Sequence, residues 1–367
     1  MIRLGVIGWV SFLLVVCSPS PDTKPFNWSL PTGFPTPLVP DDNPMTEAKV
    51  ALGRVLFYDI NLSFNQTQAC ASCHQQQYAF AEPLKHSVGS TGEAHRRNAQ
   101  SLVNVAYNGH LTWSNNALNS IEQQILIPMF SETPHELNIT GHENEVLQRF
   151  QTEAYQQLNQ RAFGEKQLTF DHIVKALASF VRSLLSFDSA FDRYAYQGND
   201  NALNESELRG MNLFFSERLE CHHCHGGFNF TQSSVHQQQQ LDLSQFHNTG
   251  LYNLDGKGAF PDSDPGLIEI TGDPKDMGRF RAPTLRNVAL SAPYMHDGSL
   301  NTLDDVIEFY NLGGQGAGVT SPLKSPFIRP LYLSVQEKQD LKAFLMALTD
   351  PRFVSNPAFA ALPAAGE

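Results

Sequence analysis

The unit Cys-x-x-Cys-His occurs twice, as CASCH at Cys70, Cys73 and His74 and as CHHCH at Cys221, Cys224 and His225. Setting aside Cys17, these hold every cysteine in the chain. Two disulfides would use the thiols but leave unexplained why a histidine follows each pair at once. A zinc ribbon also uses paired Cys-x-x-Cys, but its halves lie roughly 15 to 20 residues apart, and here they are roughly 150 apart. In c-type haem attachment two thiols bond to vinyl groups at one porphyrin edge, the two intervening residues set their reach, and the adjacent histidine meets the iron. That reading accounts for all three residues in both copies. In the second copy only His225 is placed to bind iron. His222 and His223 fill the x positions, where almost any residue is tolerated, and read as surface residues with at most a modest influence on the haem beside them.

A length of 367 residues suits two such units, each with its own core. Apolar residues recur at helical spacing in TEAKVALGRVLFY (46–58), just before the first motif, and ELRGMNLFFS stands in the same place before the second. Between them SIEQQILIPMF, ENEVLQRFQTEAYQQL and FDHIVKALASFVRSLLSF (170–187) read as helices, the last as a buried interdomain helix. Gln75 to Asn119 reads as a long ordered loop. The polar break GNDNALNES (198–206) divides the chain into an N-terminal haem unit (40–200) and a C-terminal one (201–350), followed by a tail (351–367). Near the end TLDDVIEFYNL and SVQEKQDLKAFLMAL are amphipathic, the latter with Ser334 and Glu337 at capping-box spacing. The Gly-rich piece 313–318 follows a helix and reads as a loop. The expected fold is therefore mainly α, two cytochrome c-like haem domains packed together with long ordered loops and little β.

Residues 1–22 read as an export leader and tether: Arg3, an apolar run, then Cys17 before a Ser/Pro stretch. Cys17 sits as in a lipoprotein, so lipidation and plain export both stay open, and a lipid at Cys17 is the only membrane attachment expected. The net charge of −12, with no long basic run, offers nothing for tracking phosphates, so nucleic acid is not an expected partner.

With its haem motifs, RRNAQSLVNVAYN (96–108), Trp113 and FRAPTLRNVALSAPYMHDGSLNTLDDVIEFY (280–310), the chain resembles the bacterial diheme cytochrome c peroxidases and their MauG relatives. SVGSTGEAHRRNAQSLVNVAYN and LIPMFSETPHEL look most like the branch linked to methanobactin and copper handling. The resemblance implies two covalent haems c, the first meeting hydrogen peroxide. It implies a pocket lined by Gln124, Pro128 and Glu136. Because the spacing from Pro128 to Glu136 is two residues longer than the family's, Glu132 is a rival. Where conventional members carry a blocking histidine this chain has Ser90, so an open iron is expected; His86 and His95 lie near enough to substitute for it but read as ordinary exposed loop residues. At the second haem the family's axial Met position falls on Tyr310, with Met295 or no sixth ligand as rivals. A phenolate favours ferric and higher states where a thioether favours ferrous iron. Trp113 falls between the haems as a stepping stone, and Asn98, Ser291 and Pro293 fall on an interdomain calcium site.

The implied activity is peroxide-dependent oxidation of a partner protein by a high-valent state shared over two haems, the partner of copper-binding type with tryptophan converted to kynurenine. Two alternatives stand beside it. One is a conventional peroxidase drawing electrons from a small periplasmic electron-transfer protein. The other is an electron-transfer cytochrome without catalysis.

Overall fold

The computed structural model describes residues 20–239 and 245–362. The leader and Cys17 lie outside the described residues. Thirteen helices and two two-residue strands carry the described chain, so the expectation of a mainly α fold with little β holds.

The first core is built on α1 (Glu47–Phe57), α3 (Ile121–Phe130), α4 (Glu143–Arg149), α5 (Glu153–Phe163) and α6 (Phe170–Arg182). Thr46 and Thr169 cap α1 and α6 through their hydroxyls, which accept from Lys49 N and His172 N. α6 is buried along most of its length, with Ile173, Ala176, Leu177, Phe180 and Val181 in the core. At its crossing with α1, a Cβ on Gly53 would lie 1.9 Å from Ala176 O and 2.9 Å from Phe180 Cβ. Only glycine lets the two backbones approach this closely. The expectation of an interdomain helix at 170–187 is therefore corrected: α6 is the centre of the first core, packed on α1 and α3. It ends at Arg182, and the irregular residues 184–188 run on toward the second half. The 143–158 pattern is likewise two helices. They are broken after Arg149, where Phe150 turns fully into the core.

The second core repeats the plan. α7 (Ala190–Ala195), α8 (Glu205–Phe214), α11 (Leu303–Leu312) and α12 (Val335–Ala347) enclose Phe191, Phe214, Phe230, Ile307, Leu341 and Phe344. A Cβ on Gly210 of α8 would lie 1.9 Å from Asp340 O and 2.8 Å from Phe344 Cβ. Gly210 thus meets α12 as Gly53 meets α6. Ser334 and Glu337 form the expected capping box of α12. In the Gly-rich loop, Gly316–Thr320 form a short 3-10 turn.

The halves are joined by a buried polar lattice. Asn104 Nδ2 donates to Asn229 Oδ1 (3.0 Å) and its Oδ1 accepts from Ser186 N (2.7 Å). Asn287 Nδ2 donates to Ser186 Oγ (2.9 Å) and its Oδ1 accepts from Asp350 N (2.7 Å). Both asparagines stand at positive φ, 54° and 58°, each opening a 3-10 turn in the repeated wording LVNVA and LRNVA. β1 (Phe246–His247) pairs antiparallel with β2 (Phe280–Arg281). The stretch after α12 packs back on the first core: α13 (Pro351–Ser355) buries Phe353 there, and Arg54 and Tyr58 donate to the carbonyls of Ala360, Pro357 and Phe359. α10 (Ile268–Thr271) lies in the long loop before β2.

The two glycine crossings generate a stability prediction. Gly53→Ala and Gly210→Ala gain about 1 kcal/mol of helix propensity but force backbones apart. The net expectation is a loss of about 1–3 kcal/mol for each, read by denaturant unfolding of the haem-loaded protein.

Candidate functional site

Both Cys-x-x-Cys-His units fold as a single helical turn: α2 (Cys70–Cys73) and α9 (His222–His225). Each closes identically, His74 N donating to Cys70 O and His225 N to Cys221 O, both at 3.0 Å. His74 Nδ1 donates to Phe80 O (2.9 Å), and His225 Nδ1 donates to Pro283 O (3.0 Å) with Phe230 O at 3.3 Å. Phe80 and Phe230 are both fully buried and both at positive φ. Holding Nδ1–H on a backbone carbonyl fixes the tautomer and leaves Nε2 as the basic nitrogen, the arrangement a metal-binding histidine needs. Burial lowers both imidazoles, His225 to about 4, so they stay neutral and ligand-competent.

The four cysteines form no disulfide. Burial pushes the thiols of Cys70, Cys73 and Cys221 up to about 12 and Cys224 to about 11, so the free side chains stay protonated. Among the described residues no three clustered ligand atoms include a cysteine. The residues therefore fit haem c.

Beside α9 opens a cavity of about 240 Å³. Cys221, Cys224 and His225 line it together with Trp113, Met295 and Tyr310, between apolar walls that include Phe214, Leu285, Ile307 and Leu341. Tyr310, on α11, has its phenol raised well above the usual value, by burial first and then by the nearby Cys224 and Cys221. Trp113 Nε1 donates to Asn98 O (2.9 Å). Asn98, Ser291 and Pro293 line this same cavity. Asn98 Nδ2 donates to Leu84 O (2.9 Å), and the Asn98 side-chain carbonyl and the backbone carbonyls of Ser291 and Pro293 are oxygen donors of the kind calcium prefers.

Beside the first motif, the segment 135–139 is clamped between α3 and the loop 87–95. Leu137 N donates to Pro128 O (2.9 Å), Ile139 N to Met129 O (3.0 Å) and Ser90 N to Glu136 O (2.8 Å). Gly89 permits this contact, since a Cβ there would sit 1.8 Å from His135 O. Glu136 is thereby half-buried; desolvation pushes its carboxyl up to about 7, and its charge adds to burial in raising both Cys70 and Cys73. Glu132 is exposed. The fold thus brings Glu136, not its rival, to the first motif. Gln124 lies one turn before Pro128 on α3, its Oε1 buried without a partner.

Two expectations change. His95 is not exposed: its Nε2 stands 3.8 Å from Glu136 Oε1, and burial lowers its pKa. His86 is half-buried, with Nδ1 unpartnered. Sequence reasoning also missed two charged groups. Glu82, 2% exposed, accepts from Ser87 Oγ, is raised by burial and adds to the raised Cys73 thiol. Arg281, buried in the wall of the second cavity, donates to Thr112 O and Gln100 Oε1. Nothing in their local sequence sets them apart from other loop charges.

The sequence pattern of the di-haem cytochrome c peroxidases matches residues 47–201. Cytochrome-c peroxidase IdrP1 of Pseudomonas sp. (strain SCT) is 36% identical over 325 residues, 85% of this chain and 83% of that protein. Methylamine utilization protein MauG of Methylorubrum extorquens is 32% identical over 323 residues, 87% of this chain and 83% of its own. A crystal structure of a MauG-like protein associated with microbial copper homeostasis superposes with a TM-score of 0.89 at 45% identity, covering 91% of this chain and 99% of that one. The chain belongs to the di-haem cytochrome c peroxidase and MauG family. It is an oxidoreductase that acts on hydrogen peroxide with two haems, together with a protein partner or electron donor. No helix among the described residues is long and apolar enough to cross a membrane.

Replacing Cys221 and Cys224 together by Ala is expected to halve the covalent haem per chain in a pyridine haemochrome assay while the first attachment persists. Replacing His225 by Ala is expected to keep covalent haem but change its absorption.

Proposed function

We propose that this chain is a MauG-type enzyme, built of two haem domains divided near 201, that spends the oxidising power of peroxide on a partner protein. The observation that carries the reading is Tyr310, a phenol that lines the same cavity as His225, at the position where the family resemblance puts Met in conventional members. When bound, the haems supply two irons that accept and share the oxidising equivalents of peroxide. His74 and His225, each with Nδ1 held on a backbone carbonyl, would hold those irons through Nε2. Glu136 takes the proton from one peroxide oxygen and returns it to the departing one, a task suited to a carboxyl titrating near neutrality. Gln124 and Pro128 shape the pocket around it. Tyr310 would lose its phenol proton only on binding the iron, and as a hard phenolate donor would then favour the oxidised states that storage requires. Trp113, held by Asn98 O against the second cavity, carries electrons between the two centres. Calcium at Asn98, Ser291 and Pro293 ties that junction together.

A copper-binding partner, with tryptophan converted to kynurenine, is supported by the copper association of the 45% identical relative. The enzyme works on the exported side, delivered by the leader and, if Cys17 is lipidated, anchored there. Met295, which lines the same cavity, favours the second reading, a conventional peroxidase.

The test is peroxide added to the haem-loaded enzyme with the candidate partner. A mass gain on the partner is expected; peroxide turnover only after reduction, with no gain, would establish the conventional reading. Tyr310→Met is expected to raise the potential of the second haem and abolish the gain, and an unchanged absorption spectrum would remove Tyr310 from the iron. Because Glu136 is raised to about 7, its carboxylate, the base form, fills as pH rises. The bimolecular rate with peroxide is expected to climb between pH 6 and 8 with a midpoint near 7. Glu136→Gln is expected to flatten that profile and slow the step by about 10²-fold or more, measured by stopped flow.

A further inference from the structure

We propose that Glu217, His222 and His223 form a binding site for a divalent transition-metal ion, Cu²⁺ ahead of Zn²⁺, at the rim of the second haem cavity. The two histidines occupy the x positions of the second attachment motif, and neither is needed to hold the haem. The fold brings them beside Glu217, from the turn after α8, so that one ligand atom from each lies within 4.8 Å of the other two. His222 Nε2 stands 3.8 Å from Glu217 Oε1. That is too long for a hydrogen bond. It is the separation reached by two ligands each about 2.1 Å from a shared ion at a wide angle. The other nitrogen of His222, Nδ1, is buried without a partner.

The histidines are also held in place. Their rings stack with centroids 4.4 Å apart, and the His223 ring stacks in turn on Phe327 at 4.8 Å. Phe327 itself lines the haem cavity. Glu217 is 84% exposed, so its carboxylate can close the remaining gap by rotation. The neighbouring cation does not compete for it, since Arg218 NH1 is engaged by Glu337 at 2.7 Å. Two neutral imidazoles with one carboxylate select against Mg²⁺ and Ca²⁺, which want oxygen. Among first-row dications their affinity peaks at copper. Waters complete the coordination.

The site uses no residue placed in the peroxide chemistry, so it can be tested separately on the haem-loaded enzyme. Zn²⁺ titrated calorimetrically is expected to bind at one site, and Cu²⁺ to give an electron paramagnetic resonance signal coupled to two imidazole nitrogens. Glu217→Gln, outside the attachment motif, is expected to weaken Zn²⁺ binding, and His223→Gln to remove one nitrogen coupling, both with haem absorbance unchanged. His236→Gln, a histidine away from the trio, is expected to change neither. Absence of binding, or binding that Glu217→Gln and His223→Gln leave untouched, or binding lost in His236→Gln, would overturn the proposal.

Discussion

One helix can rest on the carbonyls of another only where its own Cβ is missing, and this chain makes that contact twice. Gly53 sits on α6 at Ala176 and Phe180, and Gly210 sits on α12 at Asp340 and Phe344, with nearly equal distances. The consequence is geometric. Each entering helix is pinned against a later helix of its own half, and the loop that follows must carry the Cys-x-x-Cys-His turn over the resulting core. In both halves a buried phenylalanine at positive φ then presents its carbonyl to the histidine, at Phe80 and at Phe230. The crossing places the turn, and the carbonyl aims the ring.

What joins the halves is polar as well as apolar: Phe353 packs on the first core and Tyr107 on Phe228, and amides bridge the seam. Asn104 and Asn287, from matching wording in the two halves, use their amides to pair with Ser186, the Asn229 side-chain carbonyl and the Asp350 backbone in a fully buried seam. Buried amides left unpaired cost more than paired ones gain, so such a lattice fixes one relative placement of the two cores. The same strand of chain that contains Asn104 continues to Trp113, whose carbonyl accepts from Arg281 N at 2.7 Å. The aromatic at the junction is therefore held by both halves.

The repeat, the haem anchors and the capping boxes were legible because their signals are local: a fixed spacing, a motif, a cap three residues before an acid. Helix partners were not. The 170–187 pattern records that one face is buried but not what covers it, and the covering is done by Gly53, more than a hundred residues earlier. The choice between Glu132 and Glu136 was open for the same reason. It is decided by Gly89 and Ser90 docking on 135–137, a long-range contact with no local trace. His95 read as a loop histidine because exposure is also a tertiary property. Family resemblance supplied Tyr310 where helical periodicity would have made it an ordinary core aromatic.

With one scaffold used twice, the difference between the two centres must come from the few polar groups that break the repeat. The first motif is faced by carboxyls, Glu136 and the deeply buried Glu82, both raised by burial, Glu136 to about 7. The second is faced by a phenol and a guanidinium, Tyr310 and Arg281, neither of which exchanges protons readily there. Breaking an oxygen–oxygen bond needs protons delivered and removed at one place; storing charge needs a site where they are not. On the proposed reading the carboxyl side of the molecule serves the first task and the phenol side the second, with Trp113 as the relay between them.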